Sequence, residues 1–201
     1  MNRGRLFLIS GPSGSGKDTV LKEIFKMCPE IAFSISSVTR PMRAGEVEGE
    51  KYNFISVQQF EDMLKNDAFL EHNIFVDNYY GTPKAPVEEC LMSGRDMIAE
   101  IDVNGARQIR QKIKDAVSIF IMPPSLNILK QRLSNRGTEC QEAVDKRINE
   151  ALREIACASE YDYIVVNDVL DDAVRNVVTV IKADRFKLDR QGTLINDVLC
   201  N

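Results

Sequence analysis

Apolar residues along this chain alternate between short unbroken runs and helically spaced sets. The run RLFLIS (5–10) ends at a glycine-rich loop, and beyond the loop apolar side chains recur every three or four residues. This second set is Val20, Leu21, Ile24, Phe25 and Cys28. A short apolar run predicts a buried strand, and the later spacing predicts an amphipathic helix. The chain is therefore predicted to open as strand, loop and helix.

The same alternation continues through the second half of the chain. Three further apolar runs, DMIAEID, VSIFIMP and YDYIVVN, predict buried strands. Helical patterns lie at about 106–113, 125–133, 144–158 and 171–186. Strands that alternate with helices predict an α/β fold, with a parallel sheet covered by helices.

The stretch from about 33 to 95 differs in composition. It is richer in Ser, Tyr, Asn, Gly and Pro, and its apolar segments, such as YNFIS and LEHNIFV, are short. This predicts an inserted, mainly β subdomain. The tail after about Phe186 has no pattern that predicts a structure.

Composition and charge exclude several classes of protein. The 201 residues are 44% hydrophobic, enough for the core of one compact domain, and the net charge is -4. A negative charge argues against a nucleic-acid coat or a membrane-surface protein, since both use excess Lys and Arg. Five scattered cysteines predict neither disulfides nor a zinc site, and with no signal peptide or membrane span evident a cytoplasmic protein is expected. His72 is the single histidine, which excludes a histidine-centred triad.

The first loop reads SGPSGSGKDTV (10–20) and matches the phosphate-binding pattern G-x-x-x-x-G-K-[ST], except that Asp18 replaces the hydroxyl residue. Its glycines allow backbone N–H groups to point at phosphate oxygens, and Lys17 reaches the β and γ phosphates. The strand before it and the helix after it are the context that this motif requires, so nucleotide binding is predicted. Two interpretations of Asp18 remain open: a magnesium ligand, or an acidic residue that only stabilises the start of the helix.

Two arginines in the inserted stretch, Arg40 and Arg43, lie three residues apart. Hydroxyl groups occur nearby on Ser36, Ser37, Thr39 and Tyr52. Such a set can enclose one phosphate through charge-assisted hydrogen bonds. A solvated loop with two surface arginines fits these residues equally well, so both interpretations remain open.

Several motifs, taken together and in order, resemble the guanylate kinase family. They are SGPSGSGKDT, SSVTRPMRAGEVEGEKYNFIS, FLEHNIFVDNYYGTPKAPV, AEIDVNGA, MPPS and RLSNRGTE, within about 6–167. The resemblance implies a P-loop nucleoside monophosphate kinase fold with three parts: a core (about 1–34, 96–125 and 158–190), a GMP-binding subdomain (about 35–95) and a helical lid (about 126–157). It also implies magnesium-dependent phosphorylation of GMP, and of dGMP, by ATP. Nucleic acid, membrane and obligatory protein partners are not expected.

The resemblance also assigns roles position by position. It implies that ATP is bound by Gly11, Pro12, Ser13, Gly14, Ser15, Gly16, Lys17, Asp18, Thr19 and Asn167. It implies that the catalytic residues are Lys17, Arg136 and Arg147, with Arg132 as a further lid arginine. The implied ligands of the GMP phosphate are Arg40, Arg43, Tyr52 and Tyr80, and those of guanine are Ser36, Glu71 and Thr82, beside Asp102. Glu100 matches an acidic residue near magnesium, which it would reach directly or through a water.

The chemistry of guanine independently favours Glu71. The Watson–Crick edge of guanine offers two neighbouring donors, and an ionised carboxylate offers two acceptor oxygens in matching geometry. Adenine presents an acceptor instead, and a site whose polar group goes unpaired rejects such a ligand by about 10⁴-fold. Without its context, Glu71 would be read as a surface charge on an edge strand.

Two other functions share part of this pattern. A non-catalytic guanylate-kinase-like scaffold domain binds phosphorylated peptides, but typically with a degraded phosphate loop, whereas the loop glycines and Lys17 are intact here. A ribose bisphosphate kinase can share the G-K-D sequence, but would have no use for the arginine, tyrosine and glutamate set.

Overall fold

The computed structural model describes residues 3–134, 141–192 and 194–200 of the chain. Its strands are β1 (Leu6–Ser10), β2 (Ala32–Phe33), β3 (Ser36–Val38), β4 (Tyr52–Phe54), β5 (Phe69–Phe75), β6 (Asn78–Pro83), β7 (Met97–Glu100), β8 (Val117–Met122) and β9 (Tyr163–Val166). Its α-helices are α1 (Lys17–Met27), α2 (Val57–Lys65), α3 (Lys84–Met92), α4 (Val103–Lys112), α5 (Leu126–Ser134), α6 (Gln141–Ala156), α7 (Leu170–Asp184) and α8 (Leu194–Cys200). The predicted α/β class is confirmed.

The chain divides into two compact units. The insertion unit comprises Gly4–Ser10 and Glu30–Ser118, and the loop unit comprises Gly11–Pro29 and the chain from Ile119 onward. The predicted division into core, GMP-binding subdomain and lid is a finer one and stays a prediction.

The insertion unit contains parallel strands and a second, mixed sheet. Strand β7 pairs in parallel with both β1 and β2, so that Met97 lies opposite Leu6 on one side and Ala32 on the other. The second sheet has the order β4-β3-β6-β5, with β3 and β4 parallel and the other pairs antiparallel. The side chains of β1 are all buried, as expected for a strand of a covered parallel sheet.

Two helices of the insertion unit, α2 and α3, were missed by the sequence analysis. Helix α2 begins with a reciprocal capping box, in which Gln59 N donates to Ser56 Oγ and Ser56 N donates to Gln59 Oε1. The S-x-x-Q pattern of this box was the available sequence signal. Phe60 of α2 stacks on Phe69 and Tyr79, with ring centroids 4.4 and 5.0 Å apart, and so holds the helix against the mixed sheet.

The loop unit follows the predicted pattern on its helices but not on its last strand. In α1, Val20, Leu21 and Ile24 are buried, and α7 buries the five predicted apolar residues: Ala173, Val174, Val177, Val178 and Ile181. Strand β9 pairs in parallel with β8, but Tyr163, Ile164 and Val166 are exposed. The prediction of a buried strand here was wrong, because β9 is the last strand of its sheet within the described residues.

The tail after about Phe186, for which the sequence predicted no structure, is helical in part. A short 3-10 helix, Leu188–Arg190, follows α7. The buried carboxylate of Asp184 forms ion pairs with Lys187, at 2.9 Å, and with Arg190, at 3.1 Å. These ion pairs hold the 3-10 turn against the end of α7. Within the described ranges, no helix combines the length and apolar character needed to cross a membrane.

Candidate active site

The glycine loop leads directly from β1 into α1. Gly16 precedes the helix with φ of 86°, in the left-handed region that favours glycine. A Cβ atom at this position would also collide with the amide nitrogen of Asn167. The backbone conformation and the close approach of Asn167 therefore both require glycine here.

The carbonyl of Ser15 is the point at which the loop is fixed to the rest of the loop unit. Asn167 Nδ2 donates to Ser15 O at 2.7 Å, and Arg132 Nη1 donates to the same oxygen at 3.4 Å. Arg132 Nη2 also donates to Asn167 O at 3.2 Å, and Asn167 N donates to Met122 O at 2.8 Å. Asn167 is buried, whereas the bonds from Arg132 are only partly buried. Sequence reasoning assigned Asn167 to the nucleotide and missed its bond to the loop.

Besides Arg132, two further cationic side chains contact the loop. Lys17 Nζ donates to Gly11 O at 2.6 Å, which folds the ammonium group back over the loop. From α6, Arg147 Nη2 donates to Ser13 Oγ at 3.0 Å. Arg136, the other predicted catalytic arginine, lies outside the described residues.

An open pocket adjoins the loop within the same unit. Its volume is about 320 Å³, and it is lined by Gly14, Gly16, Thr19, Arg132, Asn167, Asp168 and Leu170. This volume falls within the range of small-ligand sites. The predicted nucleotide residues Gly16, Thr19 and Asn167 thus lie around one cavity.

The two predicted metal-binding carboxylates are in different settings. Asp18 is exposed in the first turn of α1. Glu100 ends β7, and its carboxylate pairs with Lys51 Nζ at 2.8 Å. Among the residues that the structure describes, no group of three or more His, Cys, Asp or Glu side chains could hold a metal ion by itself.

The predicted phosphate-binding arginines of the insertion unit converge on one carboxylate. Arg40 is buried and forms a two-point ion pair with Glu46, and the backbone N–H of Arg43 donates to the same side chain. The guanidinium of Arg40 lies 5.1 Å from the ring centroid of Tyr52 and 5.4 Å from that of Phe54.

The two neighbouring tyrosines of β6 have different surroundings. Tyr80 packs edge-to-face on Tyr52, with centroids 6.3 Å apart, and its hydroxyl interacts with Arg40. Tyr79 stacks instead on Phe60 of the aromatic core. Burial raises the pKa of the Tyr52 hydroxyl, so this group remains a hydrogen-bond donor at neutral pH.

Glu71 and Thr82 form a buried polar pair between β5 and β6. Thr82 Oγ1 donates to Glu71 Oε1 at 2.7 Å, and the two residues are 1% and 5% exposed. Burial raises the pKa of Glu71 to about 7, with a smaller upward effect from the charge of Asp102 and opposing effects from Thr82 and Lys112. The alternative of a surface charge on an edge strand is therefore wrong for Glu71.

Asp102 lies just beyond the strand on which the sequence analysis placed it. Strand β7 ends at Glu100, and Asp102 is the N-cap of α4, accepting a 2.7 Å bond from the Gly105 backbone N–H. Its other oxygen accepts from Asn73 Nδ2 at 2.7 Å. The prediction that the strand DMIAEID extends through Asp102 was wrong, because β7 ends at Glu100 and the Asp102 side chain caps α4. Ser36, the remaining predicted guanine contact, is half-buried in β3 opposite Tyr52.

Comparisons with known proteins identify the family of the chain. The family model described as guanylate kinase matches residues 3–184. The chain belongs to the guanylate kinase family. It is 47% identical over 190 residues to the guanylate kinase of Carboxydothermus hydrogenoformans, covering 94% of this chain and 93% of that relative. It is 48% identical over 189 residues to that of Streptococcus thermophilus, covering 94% and 90%.

A solved structure gives the same result for the fold. The crystal structure of guanylate kinase from Anaplasma phagocytophilum matches with a TM-score of 0.76 and 28% identity, covering 94% of this chain and 90% of that one. The predicted fold, that of a P-loop nucleoside monophosphate kinase, is confirmed by this match. Family membership also identifies the chain as an enzyme of the nucleotide kinase class.

Proposed function

We propose that this member of the guanylate kinase family transfers the γ-phosphoryl group of ATP to the phosphate of GMP, giving ADP and GDP, and that it accepts dGMP as well. Two features support the proposal: the family match over nearly the whole chain, and the buried Glu71–Thr82 pair. The second feature carries the choice of guanine. ATP and GMP are the proposed partners, and the sequence-based expectation of a cytoplasmic enzyme without an obligatory protein partner is kept as part of the proposal.

The loop unit would bind ATP. Backbone N–H groups of the glycine loop would hold the phosphates at the positive end of α1. Lys17 would exchange its bond to the Gly11 carbonyl for the β and γ phosphates, which attract an ammonium group more strongly than a neutral carbonyl does. The pocket beside Asn167 would receive the adenine end of the nucleotide.

Magnesium would enter with ATP as part of the substrate complex. The exposed carboxylate of Asp18 is a ligand type that Mg²⁺ accepts while it keeps several waters. At Glu100 the metal would have to share the carboxylate with the ammonium of Lys51. When bound, the metal neutralises phosphate charge.

The insertion unit would bind GMP through two groups of residues. Arg40, Arg43, Tyr52 and Tyr80 would hold its phosphate by charge-assisted hydrogen bonds. Glu71 would accept from N1–H and the 2-amino group of guanine, while Thr82 occupies one lone pair of the carboxylate. Ser36 would complete the base contacts, with Asp102 beside them.

Catalysis would consist mainly of positioning and neutralisation of charge. Phosphoryl transfer passes through a loose transition state that demands little covalent chemistry from the protein, so no general base is required. Lys17, Arg136 and Arg147 would stabilise charge on the transferring group, with Arg132 supporting the loop. Closure of the predicted lid (about 126–157) would exclude water and so limit unproductive hydrolysis of ATP.

One assay separates this function from its two rivals. ADP formation is measured with GMP, AMP, dGMP and ribose bisphosphate as separate acceptors. We expect rapid turnover with GMP and dGMP, and a rate near background with AMP and ribose bisphosphate. Preference for ribose bisphosphate would support the sugar kinase, and no turnover with any acceptor, together with phosphopeptide binding, would support the scaffold domain.

A further inference from the structure

The carboxylate of Glu46 contacts both arginines that we assign to the GMP phosphate. Arg40 Nη1 donates to Glu46 Oε2 at 2.7 Å, and Arg40 Nη2 donates to Oε1 at 2.6 Å. The backbone N–H of Arg43 donates to Oε2 at 2.8 Å. One side chain therefore ties together three donors from the two residues.

This contact fixes the plane of the guanidinium. Two parallel bonds from a planar fork to a carboxylate allow little rotation. Nη1 also donates to the Pro41 carbonyl at 3.0 Å, and the rings of Tyr52 and Phe54 pack against the group. The Arg40 side chain is 8% exposed, against 26% for Glu46. Within the described residues, the buried Arg40 Nε has no hydrogen-bond partner.

Glu46 is ionised throughout the working range of pH. The Arg40 guanidinium, and secondarily the Arg43 backbone N–H, lower the pKa of the Glu46 carboxyl to about 2. Arg40 is thus oriented before any ligand arrives. A flexible arginine would otherwise lose its freedom only on binding, and orienting it beforehand removes that loss from the affinity.

We propose that Glu46 is a positioning residue for the acceptor: its carboxylate holds the Arg40 guanidinium and the Arg43 backbone in the geometry that receives the phosphate of GMP. The proposal rests on the assignment of Arg40 to that phosphate. Glu46 acts through the arginines and does not touch the reacting atoms. The rival role for the same contact is that of a competing anion, which GMP must displace from Arg40. The two roles predict opposite changes in affinity.

The test compares Glu46→Gln with the unaltered enzyme. An amide accepts at one atom only, so the two-point fork is lost while the side-chain size is kept. Dissociation constants are measured calorimetrically for GMP and for guanosine, which has no phosphate. We expect GMP affinity to fall by about tenfold or more, as for loss of one charge-assisted hydrogen bond, while guanosine affinity is unchanged. The KM for ATP and the kcat at saturating GMP should change little.

A matched control lies on the same segment of chain. Glu48 accepts from the Phe54 backbone N–H and forms no bond to Arg40 or Arg43 in the described structure. Glu48→Gln should leave GMP affinity unchanged. If Glu46→Gln does not fold, Glu46→Asp keeps the charge but shortens its reach, and the same selective loss of GMP affinity is expected.

A double variant shows whether the effect passes through Arg40. Adding Glu46→Gln to Arg40→Lys should weaken GMP binding little further, because the fork is already absent. Equal GMP affinity in Glu46→Gln and the unaltered enzyme, or tighter binding in the variant, overturns the proposal. An Arg40→Lys variant with normal GMP affinity would instead refute the assignment of Arg40 on which it rests.

Discussion

Thr82 Oγ1 donates a 2.7 Å hydrogen bond to Glu71 Oε1, and both side chains are buried. The second oxygen, Oε2, lies 2.9 Å from where a Cβ atom on Gly105 would stand, so a larger residue at 105 would crowd the carboxylate. Burial raises the pKa of Glu71, and the hydrogen bond from Thr82 lowers it. Burial has the larger effect. The charge of this carboxyl group therefore changes with pH near neutrality.

Binding of GMP should weaken as the pH falls. In the proposed function the ionised form of Glu71 accepts from guanine, and the pKa of Glu71 is raised to about 7. Below pH 7, the affinity for GMP should fall about tenfold for each pH unit, because the proton on Glu71 must be displaced when GMP binds. Calorimetric titration between pH 5.5 and 8.5 measures the slope. In Glu71→Gln, the remaining pH dependence of GMP affinity should come from GMP alone, whose phosphate titrates near pH 6. Equal slopes in both proteins would contradict this account.

The same pKa makes a prediction for stability. Because the folded-state pKa of Glu71 is raised from 4.5 to about 7, the stability that the neutral carboxyl contributes is complete below 4.5 and is lost as the pH rises through 7. The loss would be on the order of 3 kcal/mol. Urea unfolding at pH 4.5 and 8 should therefore show Glu71→Gln gaining stability relative to the unaltered protein at the higher pH.

Removal of the loop ammonium should abolish most activity without unfolding the protein. Lys17→Ala should lower kcat by about 10²-fold or more, because the proposed role of the lost charge is to stabilise the transferring phosphoryl group. Steady-state kinetics and a thermal melt measure the two effects. Lys22→Ala, which removes an exposed lysine from the same helix, is the matched control. Near-normal turnover in Lys17→Ala would exclude the phosphate-loop assignment.

Loss of the Asn167 amide should loosen the phosphate loop. Asn167→Asp keeps the size of the side chain but removes the donor to the Ser15 carbonyl. We expect a rise in the Kd for ATP and a loss of about 1 to 3 kcal/mol of unfolding free energy, since a buried carbonyl is left with the long bond from Arg132. GMP affinity should stay constant. Unchanged ATP affinity would mean that the bond has no role in shaping the site.

Asp18, which departs from the pattern of the phosphate-binding loop, should make ATP binding unusually dependent on magnesium. If Asp18 lies beside the ATP phosphates as proposed, its charge would repel them without magnesium and would attract the ion when it is present. Asp18→Ser should bind ATP more tightly than the unaltered protein in EDTA, and the difference should shrink or reverse with magnesium. Fluorescent-nucleotide titrations in both buffers measure this. An identical metal dependence in the two proteins would reduce Asp18 to a residue that stabilises the start of α1.

Local sequence patterns predicted the elements that carry the glycine loop. The spacing of Val20, Leu21 and Ile24 identified the buried face of α1, and the glycine motif identified the loop before it. Helix α2 was missed although its sequence carries a helical pattern, with apolar residues at Val57, Phe60, Met63 and Leu64, because the composition of the surrounding stretch was interpreted as mainly β. Strand β9 was misjudged because an apolar run does not reveal whether a strand is covered on both faces.

The contacts that organise the candidate site depend on folding and could not be read from the sequence. Asn167 reaches Ser15 across 152 positions in the chain, and Asn73 reaches Asp102 across 29. The raised pKa of Glu71 results from burial, which its neighbours along the chain do not predict. Family resemblance supplied the proposed roles of Asn167, Asp102 and Glu71, and the structure adds the partners that orient them.

The most direct test of the account is the base selectivity of the unaltered enzyme. We compare kcat/KM for GMP, IMP and AMP at saturating magnesium–ATP, with Glu71→Gln measured in parallel. Because IMP lacks one donor to the Glu71 carboxylate and AMP lacks both, the account predicts GMP above IMP, and IMP above AMP, with about 10⁴-fold between GMP and AMP. Glu71→Gln should lose most of this difference while retaining its KM for ATP. Equal use of GMP and AMP by the unaltered enzyme, or an unchanged preference in Glu71→Gln, would contradict it.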